Sequence, residues 1–225
     1  MKKILDILFV SLFLSISAFA QLHLGAGYVN QSLSEHNPHL LNGFYVGSGY
    51  SITIGKRASV TPGFYYLRSQ GGLNDAENLW LTRFYTTSGS IKDQKEYFRN
   101  NTLMLPIQVS YSIVSSPVFR LFVSGGPSLS YELNTSYEYS SPTWEGSCKD
   151  LLSGSDRTIE TDIDYSRWSI GIGAGIGMVL YKHYRITAGY EYGLNNRLSG
   201  REYHTMQDDK SMHTKRIHLG LAYVF

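Results

Sequence analysis

The sequence predicts an all-β fold, an eight-stranded antiparallel up-and-down transmembrane β-barrel. Eight segments alternate apolar and non-apolar residues with a period of two, as half-buried strands do. The connections between these segments are alternately short turns and long polar stretches, which is typical of such barrels. An even number of strands places both termini of the chain on the short-turn, periplasmic side. The predicted strands lie near 22–30, 43–54, 58–68, 102–114, 118–133, 165–181, 184–195 and 213–225.

The segment near 165–181 indicates which face of the barrel is apolar. From Trp168 to Met178 the apolar residues alternate with Ser169 and four glycines. If the apolar residues faced inward, the exterior of this strand would be almost bare glycine, whereas soluble sheets place polar side chains there. We therefore expect the apolar residues to face lipid. The glycines then face a lumen that eight strands leave only wide enough for side chains.

The beginning of the chain is typical of an exported protein. Lys2 and Lys3 precede an apolar run over 8–16, and Ala18-Phe19-Ala20 places small residues where a signal peptidase reads them. The run is shorter than the ~20 residues that a membrane helix needs. We therefore predict a signal peptide over 1–20 and a single barrel domain over 21–225.

The last predicted strand ends on an apolar residue. Apolar residues occupy every second position from Ile217 to Phe225. An uncapped apolar strand is an aggregation hazard in a soluble protein, but not where it closes a barrel in lipid. The ending resembles the C-terminal signature of bacterial outer-membrane barrels. This resemblance implies that Tyr223 and Phe225 form an assembly signal for the barrel assembly machinery.

Composition excludes several classes of function. The 20 Lys and Arg residues nearly balance the 18 Asp and Glu residues, which argues against a nucleic-acid partner. A single cysteine, Cys148, cannot form an internal disulfide. The 18 tyrosines suit membrane interfaces, where the ring is apolar and the hydroxyl is hydrated. No ligand spacing indicates a metal, and no glycine motif indicates a dinucleotide, so we predict neither a metal nor a cofactor.

Three short motifs carry a resemblance to a known family. They are Thr102-Leu103-Met104-Leu105-Pro106-Ile107, Gly189-Tyr190-Glu191-Tyr192-Gly193-Leu194 and Tyr223-Val224-Phe225. The chain resembles the small outer-membrane β-barrel proteins of Bacteroidetes, the PorT-like group. The resemblance implies the fold and a location in the outer membrane of a Gram-negative bacterium. It implies no substrate.

Several charged residues point inward according to the alternation of the strands. In a narrow lumen an unpaired charge is costly, so we interpret these residues as a salt-bridged plug. A polar channel or proton path is the alternative. The predicted lumen charge network consists of Arg120, Glu132, Arg167, Arg185, Glu191 and Arg216.

The long predicted connections contain the remaining candidates. Aromatic residues in the connection 69–101 either bind a partner or glycan or extend the strands beyond the membrane, namely Trp80, Phe84, Tyr85, Tyr97 and Phe98. Histidines and acids occur in the first and last connections, namely His36, His39, His204, Asp208, Asp209 and His213. A hydrolase needs a base, an orienting group and a nucleophile within mutual reach. Because the spacings are loose, we predict no catalytic residue.

These observations favour a monomeric outer-membrane barrel with a structural or loop-mediated binding role. Its expected partners are outer-membrane lipid, the assembly machinery and an extracellular or envelope ligand at the loops. The first alternative is an outer-membrane hydrolase that acts on lipid A or peptide at the barrel rim. The second is a small pore or secretion-system component. Histidine–acid proximity at the rim would favour the hydrolase, and a water-filled lumen would favour the pore.

Overall fold

The computed structural model describes residues 20–32, 40–74, 95–141, 144–148, 164–199 and 213–225. Among these residues, no helix is long and apolar enough to cross a membrane. The predicted signal peptide, residues 1–20, lies outside the described residues except for Ala20. The described strands are β1 (Ala20–Ser32), β2 (Leu40–Ile54), β3 (Ala58–Asn74), β4 (Lys95–Ser115), β5 (Phe119–Ser141), β6 (Trp144–Cys148), β7 (Asp164–Tyr165), β8 (Trp168–Leu180), β9 (Tyr184–Gly193), β10 (Leu198–Ser199) and β11 (Lys215–Val224).

Eight of these strands form a closed antiparallel ring. Each pairs with the next in the order β1, β2, β3, β4, β5, β8, β9 and β11. The pairing of β1 with β11, from His23↔Val224 to Ser32↔Lys215, closes the ring. The eight-stranded up-and-down barrel predicted from the sequence is thus confirmed. The short strand β6 pairs with the C-terminal end of β5, from Tyr137↔Cys148 to Ser141↔Trp144. Strand β7 pairs with β10 outside the ring.

The outer face of the ring is apolar. In β8 the exposed fractions of Trp168, Ile170 and Ile176 are 52%, 53% and 60%. Ser169 and Gly177, which alternate with them, are buried. The other strands repeat this arrangement. The prediction that the apolar residues point outward is therefore confirmed, and the glycines and polar residues line the lumen.

The two ends of the ring differ in height. At one end three-residue turns over 55–57, 116–118 and 181–183 connect the strands. Strands β9 and β11 have 10 residues each, close to the 9–11 that a tilted strand needs to span a bilayer. Strands β4 and β5 have 21 and 23 residues. Their excess length projects at the long-connection end, where Lys95 pairs with Ser140.

The boundaries predicted from the sequence for β4 and β5 lie too close to the middle of the barrel at the long-connection end. The predicted segments 102–114 and 118–133 omit the projecting residues 95–101 and 134–141. Alternation identifies a strand only where its two faces meet different surroundings. Outside the apolar belt that contrast is absent, so the strands continue without the signal.

Pro106 and Pro127 lie inside regular strand ladders and not at bulges. Pro106 pairs with Ser128 in the same register as the pairs on either side, and Pro127 pairs with Ile172. The register between β4 and β5 shifts elsewhere, between Asn101 and Thr102 and between Ser112 and Val114. A proline lacks only the N–H donor, so a ladder can tolerate it without an inserted residue.

Candidate functional site

The lumen of the barrel is the candidate functional site, and its lining glycines explain how it is filled. A Cβ atom on Gly220 would lie 1.7 Å from the hydroxyl of Tyr45, and one on Gly177 would lie 2.3 Å from the ring of Phe122. Close contacts of the same kind join Gly49 to His23 and Gly189 to His218. The glycines therefore leave the space into which rings from adjacent strands, and from one strand further along the ring, pack.

An ion pair crosses the lumen near its middle. Arg216 of β11 lies opposite Glu191 of β9, and its Nη1 donates to Glu191 Oε1 at 2.6 Å. The same nitrogen donates to Ser130 Oγ of β5 at 2.9 Å, and Arg216 Nε donates to Gln31 Oε1 of β1 at 3.0 Å. Strands β1 and β5 lie on opposite sides of the ring. The Arg216 side chain thus connects the two walls.

A second ion pair lies at the long-connection end. Arg197, which follows β9, pairs with Glu132 of β5, and both side chains are at most 1% exposed. Glu132 also accepts hydrogen bonds from Asn100 Nδ2 at 2.8 Å and from Thr135 Oγ1 at 3.2 Å. Arg197 Nη2 donates to the Ser166 carbonyl at 3.0 Å. These contacts hold the segment after β9 across the mouth of the barrel.

The other end of the lumen contains cations without carboxylates. Arg120 of β5 and Arg185 of β9 both pair through the backbone with Val179 of β8, so they lie at one level. Arg185 lies over the ring of Phe122 at 4.7 Å and donates to Ser51 Oγ at 3.4 Å. Among the described residues, neither arginine forms an ion pair.

The structure distributes the six predicted lumen charges among three groups. Glu191 and Arg216 form the central pair, whereas Glu132 pairs with Arg197, a residue that the prediction did not include. Arg120 and Arg185 lie together at the short-turn end. Arg167 lies at the opposite mouth, where its Nη1 approaches the Leu133 carbonyl at 3.5 Å.

The sequence pattern did not predict Arg197 as a lumen residue, because Arg197 lies outside every alternating segment. Alternation assigns a direction to residues of a strand, and the segment after Gly193 carries no such pattern. The available signal was Glu132 itself. An inward carboxylate on β5 requires a cation.

The candidate binding aromatics fall partly within the described residues. Tyr97 and Phe98 belong to β4, where they pair with Gly72 and Gly71 of β3. Their placement in a loop is therefore corrected: the alternative in which aromatics extend the strands holds for these two. Phe98 is buried, and the Arg99 guanidinium lies 5.7 Å from the centre of the Tyr97 ring. Trp80, Phe84 and Tyr85 lie outside the described residues.

The family model described as the outer membrane protein beta-barrel domain matches residues 10–199. The chain belongs to this family. As an outer membrane protein beta-barrel domain, it is an integral protein of the outer membrane of a Gram-negative bacterium. The short-turn end is accordingly periplasmic, and the long-connection end is extracellular.

Solved barrels resemble the chain distantly. The attachment invasion locus protein Ail of Yersinia pestis, in complex with the heparin analogue sucrose octasulfate, is 14% identical, with a TM-score of 0.47 over 92% of this chain and 99% of that one. The outer membrane protease OmpT of Escherichia coli is 10% identical, with a TM-score of 0.39 over 92% and 96%. None of the curated proteins matches the chain. Similarities this low carry no argument about function.

The C-terminal strand of this outer membrane protein beta-barrel domain ends in an aromatic cluster. The Tyr223 ring stacks on His183 at 5.4 Å and meets the Phe225 ring edge-on at 5.0 Å. The Phe225 amide donates to the Leu22 carbonyl of β1 at 2.9 Å. Tyr223 and Phe225, the two residues of the predicted assembly signal, face outward at the periplasmic end, and Phe225 is 65% exposed.

The predicted histidine candidates are described only in part. His213 Nδ1 lies 2.8 Å from the Gly193 carbonyl, and its ring stacks on Tyr192 at 5.4 Å. The residues His36, His39, His204, Asp208 and Asp209 lie outside the described residues. Within the described ranges, no group of three or more His, Cys, Asp or Glu side chains is arranged to hold a metal ion.

Proposed function

We propose that this protein is a monomeric, non-conducting outer-membrane barrel that binds an extracellular or envelope ligand at its extracellular end. The observation that carries the proposal is the Arg216 side chain, which contacts Glu191, Ser130 and Gln31 on three other strands. A charged side chain with partners on opposite walls leaves little room for a continuous column of water. The Arg197–Glu132 pair is a second obstruction above it.

The projecting strands supply the binding surface in this proposal. Strands β4 and β5 raise a paired platform beyond the membrane, from Asn101↔Asn134 to Lys95↔Ser140. Tyr97 on this platform is half-buried against Arg99 and retains exposed ring area. Aromatic and arginine side chains are the residue types that most often dominate binding surfaces. Trp80, Phe84 and Tyr85, in the connection between β3 and β4, belong to the same proposed surface.

Conductance in planar lipid bilayers tests the closed lumen. The purified wild-type barrel should show no stable unitary conductance. The double variant Glu191→Ala/Arg216→Ala removes the central obstruction without leaving an unpaired charge, and it should conduct more than the wild type. Large, stable channels formed by the wild type would contradict the proposal and favour the pore alternative.

Binding of intact cells to a glycan array tests the extracellular surface. Cells that display the wild-type barrel should retain glycans that cells with Tyr97→Ser do not. The serine variant removes ring area from the outside of a strand and should leave the barrel folded. Equal binding by both kinds of cell would contradict a role for this platform. The hydrolase alternative gains no support from His213, whose ring already contacts Gly193 and Tyr192.

Assembly through the last strand is part of the proposal. Tyr223 and Phe225 would act as the signal that the barrel assembly machinery reads, since both lie exposed on the lipid-facing side of the seam between β1 and β11. Phe225→Asp should therefore lower the outer-membrane yield far more than Ser199→Asp, which changes a residue of β10. Equal yields of the two variants would contradict the signal.

Export and subgroup complete the proposal. We place a signal peptide over 1–20 and the mature barrel over 21–225, and we assign the chain to the PorT-like group of Bacteroidetes on the three motifs named above. N-terminal sequencing of protein recovered from outer membranes should begin at Gln21. A protein that begins at Met1 would contradict the cleavage site.

A further inference from the structure

The acidic residues of the described strands are distributed very unevenly along the barrel axis. All of them lie at the level of Glu191 or nearer to the extracellular end, and they are Glu96, Glu132, Glu138, Glu145, Asp164 and Glu191. The periplasmic turns contain Lys56, Arg57 and Lys182. Inside the lumen, Arg120 and Arg185 lie at the same periplasmic level. The charged side chains that the structure describes in the periplasmic half are therefore all cations.

Two arginines at one level repel each other unless an anion lies between them. Arg120 and Arg185 point inward from strands on either side of β8, so their backbones are about 10 Å apart, two strand spacings. The contacts of Arg185 with Phe122 and Ser51 are with uncharged groups. Partly buried charges of the same sign without a partner are unfavourable, which favours a counterion near Arg185.

A cavity of about 110 Å³ lies directly above Arg185. It extends to the Arg216–Glu191 pair and is lined by groups that donate hydrogen bonds, including His23, Tyr45, Tyr65 and Gln108. Since one water molecule occupies about 30 Å³ of the liquid, the cavity has room for a small oxyanion.

Two deeply buried side chains that line this cavity have donor-capable atoms without partners. His23 is 4% exposed, and its Nδ1 has no hydrogen-bond partner, whereas its Nε2 lies 3.3 Å from the Tyr65 hydroxyl. Arg216 is 2% exposed, and its Nη2 is likewise unpartnered. Buried polar atoms normally have a hydrogen-bond partner, and a bound anion would supply one to donors at both positions.

We propose that the periplasmic half of the lumen is a binding site for one small tetrahedral oxyanion of the phosphate class, held by Arg185, Arg216 and His23 Nδ1, while the Tyr65 hydroxyl donates to His23 Nε2 and so fixes the ring. The anion would neutralise the excess cation of the lower lumen and accept hydrogen bonds from the unpartnered donors. Charge-assisted hydrogen bonds from a guanidinium suit such an oxyanion. This inference does not depend on the extracellular binding role.

Titration of the refolded barrel with inorganic phosphate tests the site. Thermal unfolding is followed by tryptophan fluorescence, while sodium chloride holds the ionic strength constant. The midpoint of the wild type should rise with phosphate and saturate, because a ligand that binds only the folded state stabilises it. Isothermal titration calorimetry should give a stoichiometry of one.

Matched variants separate this site from general effects of salt. Arg185→Gln should weaken phosphate binding by roughly tenfold or more, which corresponds to the loss of about one charge-assisted hydrogen bond. Tyr65→Phe keeps the ring and removes the hydroxyl, so it should weaken binding less. Lys182→Gln removes a cation from a periplasmic turn and should bind phosphate as the wild type does.

Three outcomes would overturn the site. The first is a wild-type midpoint that responds no differently to phosphate than to chloride, which would mean that the cavity holds water only. The second is an equal response from Arg185→Gln. The third is a loss of the response in Lys182→Gln, which would place the anion at the turns instead.

Discussion

The extracellular and periplasmic halves of the lumen solve the same packing problem differently. In the extracellular half, two buried carboxylates each form an ion pair with an arginine. Glu132 pairs with Arg197, and Glu191 pairs with Arg216. In the periplasmic half, rings pack over glycines, and Arg185 contacts the uncharged groups of Phe122 and Ser51. One half is therefore held by ion pairs, whereas the other combines aromatic packing over glycines with a cavity of about 110 Å³.

This difference between the two halves indicates which side chains contribute most to the stability of the barrel. A paired charge in a confined place becomes costly when its partner is removed, whereas an arginine without a carboxylate leaves no opposite charge behind. Substitutions in the extracellular half should accordingly cost more than substitutions of the periplasmic arginines. Urea unfolding of the refolded barrel, followed by tryptophan fluorescence, measures this ranking of the variants.

The largest effect is expected for Glu191→Ala. Arg216 would remain buried with its charge uncompensated, so the free energy of unfolding should fall by about 3–5 kcal/mol. The double variant Glu191→Ala/Arg216→Ala should recover part of this loss, because it leaves no unpaired charge. Glu77→Ala, between β3 and β4, serves as the control and should change little. A Glu191→Ala barrel as stable as the control would refute the ranking.

A smaller loss is expected for Arg197→Ala. Glu132 would lose its cation but keep the hydrogen bonds from Asn100 and Thr135. We expect the free energy of unfolding to fall by about 1.5–3 kcal/mol, the value of a hydrogen bond to a charged group. Arg197→Lys, which retains the charge but not the forked geometry, should lose less. If alanine and lysine cost the same, the charge at this position is not what stabilises the mouth.

The ring packing of the lumen predicts the next effect. Gly220→Ala would drive a Cβ against the Tyr45 hydroxyl, and overpacking of this kind costs about 1–3 kcal/mol. Adding Tyr45→Phe removes that oxygen and should restore part of the stability. At Gly173 the nearest atom to a new Cβ would lie at 3.3 Å, so Gly173→Ala is the milder control. Equal unfolding midpoints for the two alanine variants would contradict the proposed role of glycine.

The smallest effect is expected for Arg185→Met in phosphate-free buffer. The variant loses a cation–π contact, worth about 0.5–2 kcal/mol, and removes repulsion with Arg120. These changes oppose each other, so unfolding should occur near the wild-type urea concentration. A loss as large as that of Glu191→Ala would show that Arg185 is as firmly partnered as Arg216, and the contrast between the two halves would fail.

Much of this contrast could be predicted from the sequence. The inward direction of Arg185, Glu191 and Arg216 follows from the period-two pattern, because successive side chains in a strand point to opposite faces. The pattern does not specify partners. Glu191 and Arg216 are 25 residues apart in the chain and meet because β9 and β11 are neighbours in register. The partner of Glu132 could not be found at all, since Arg197 lies in no strand.

The strand number, the lipid-facing side and the positions of the short turns all follow from the contrast between apolar and polar positions along the chain. The contents of the lumen and the projection of β4 and β5 follow from tertiary contacts instead. The reason is physical. The lipid imposes the same apolar requirement along the whole outer face, and that requirement is written in the chain as a regular period. Contacts across the lumen join residues that are distant in sequence, and they depend on closure and register, which no local pattern records.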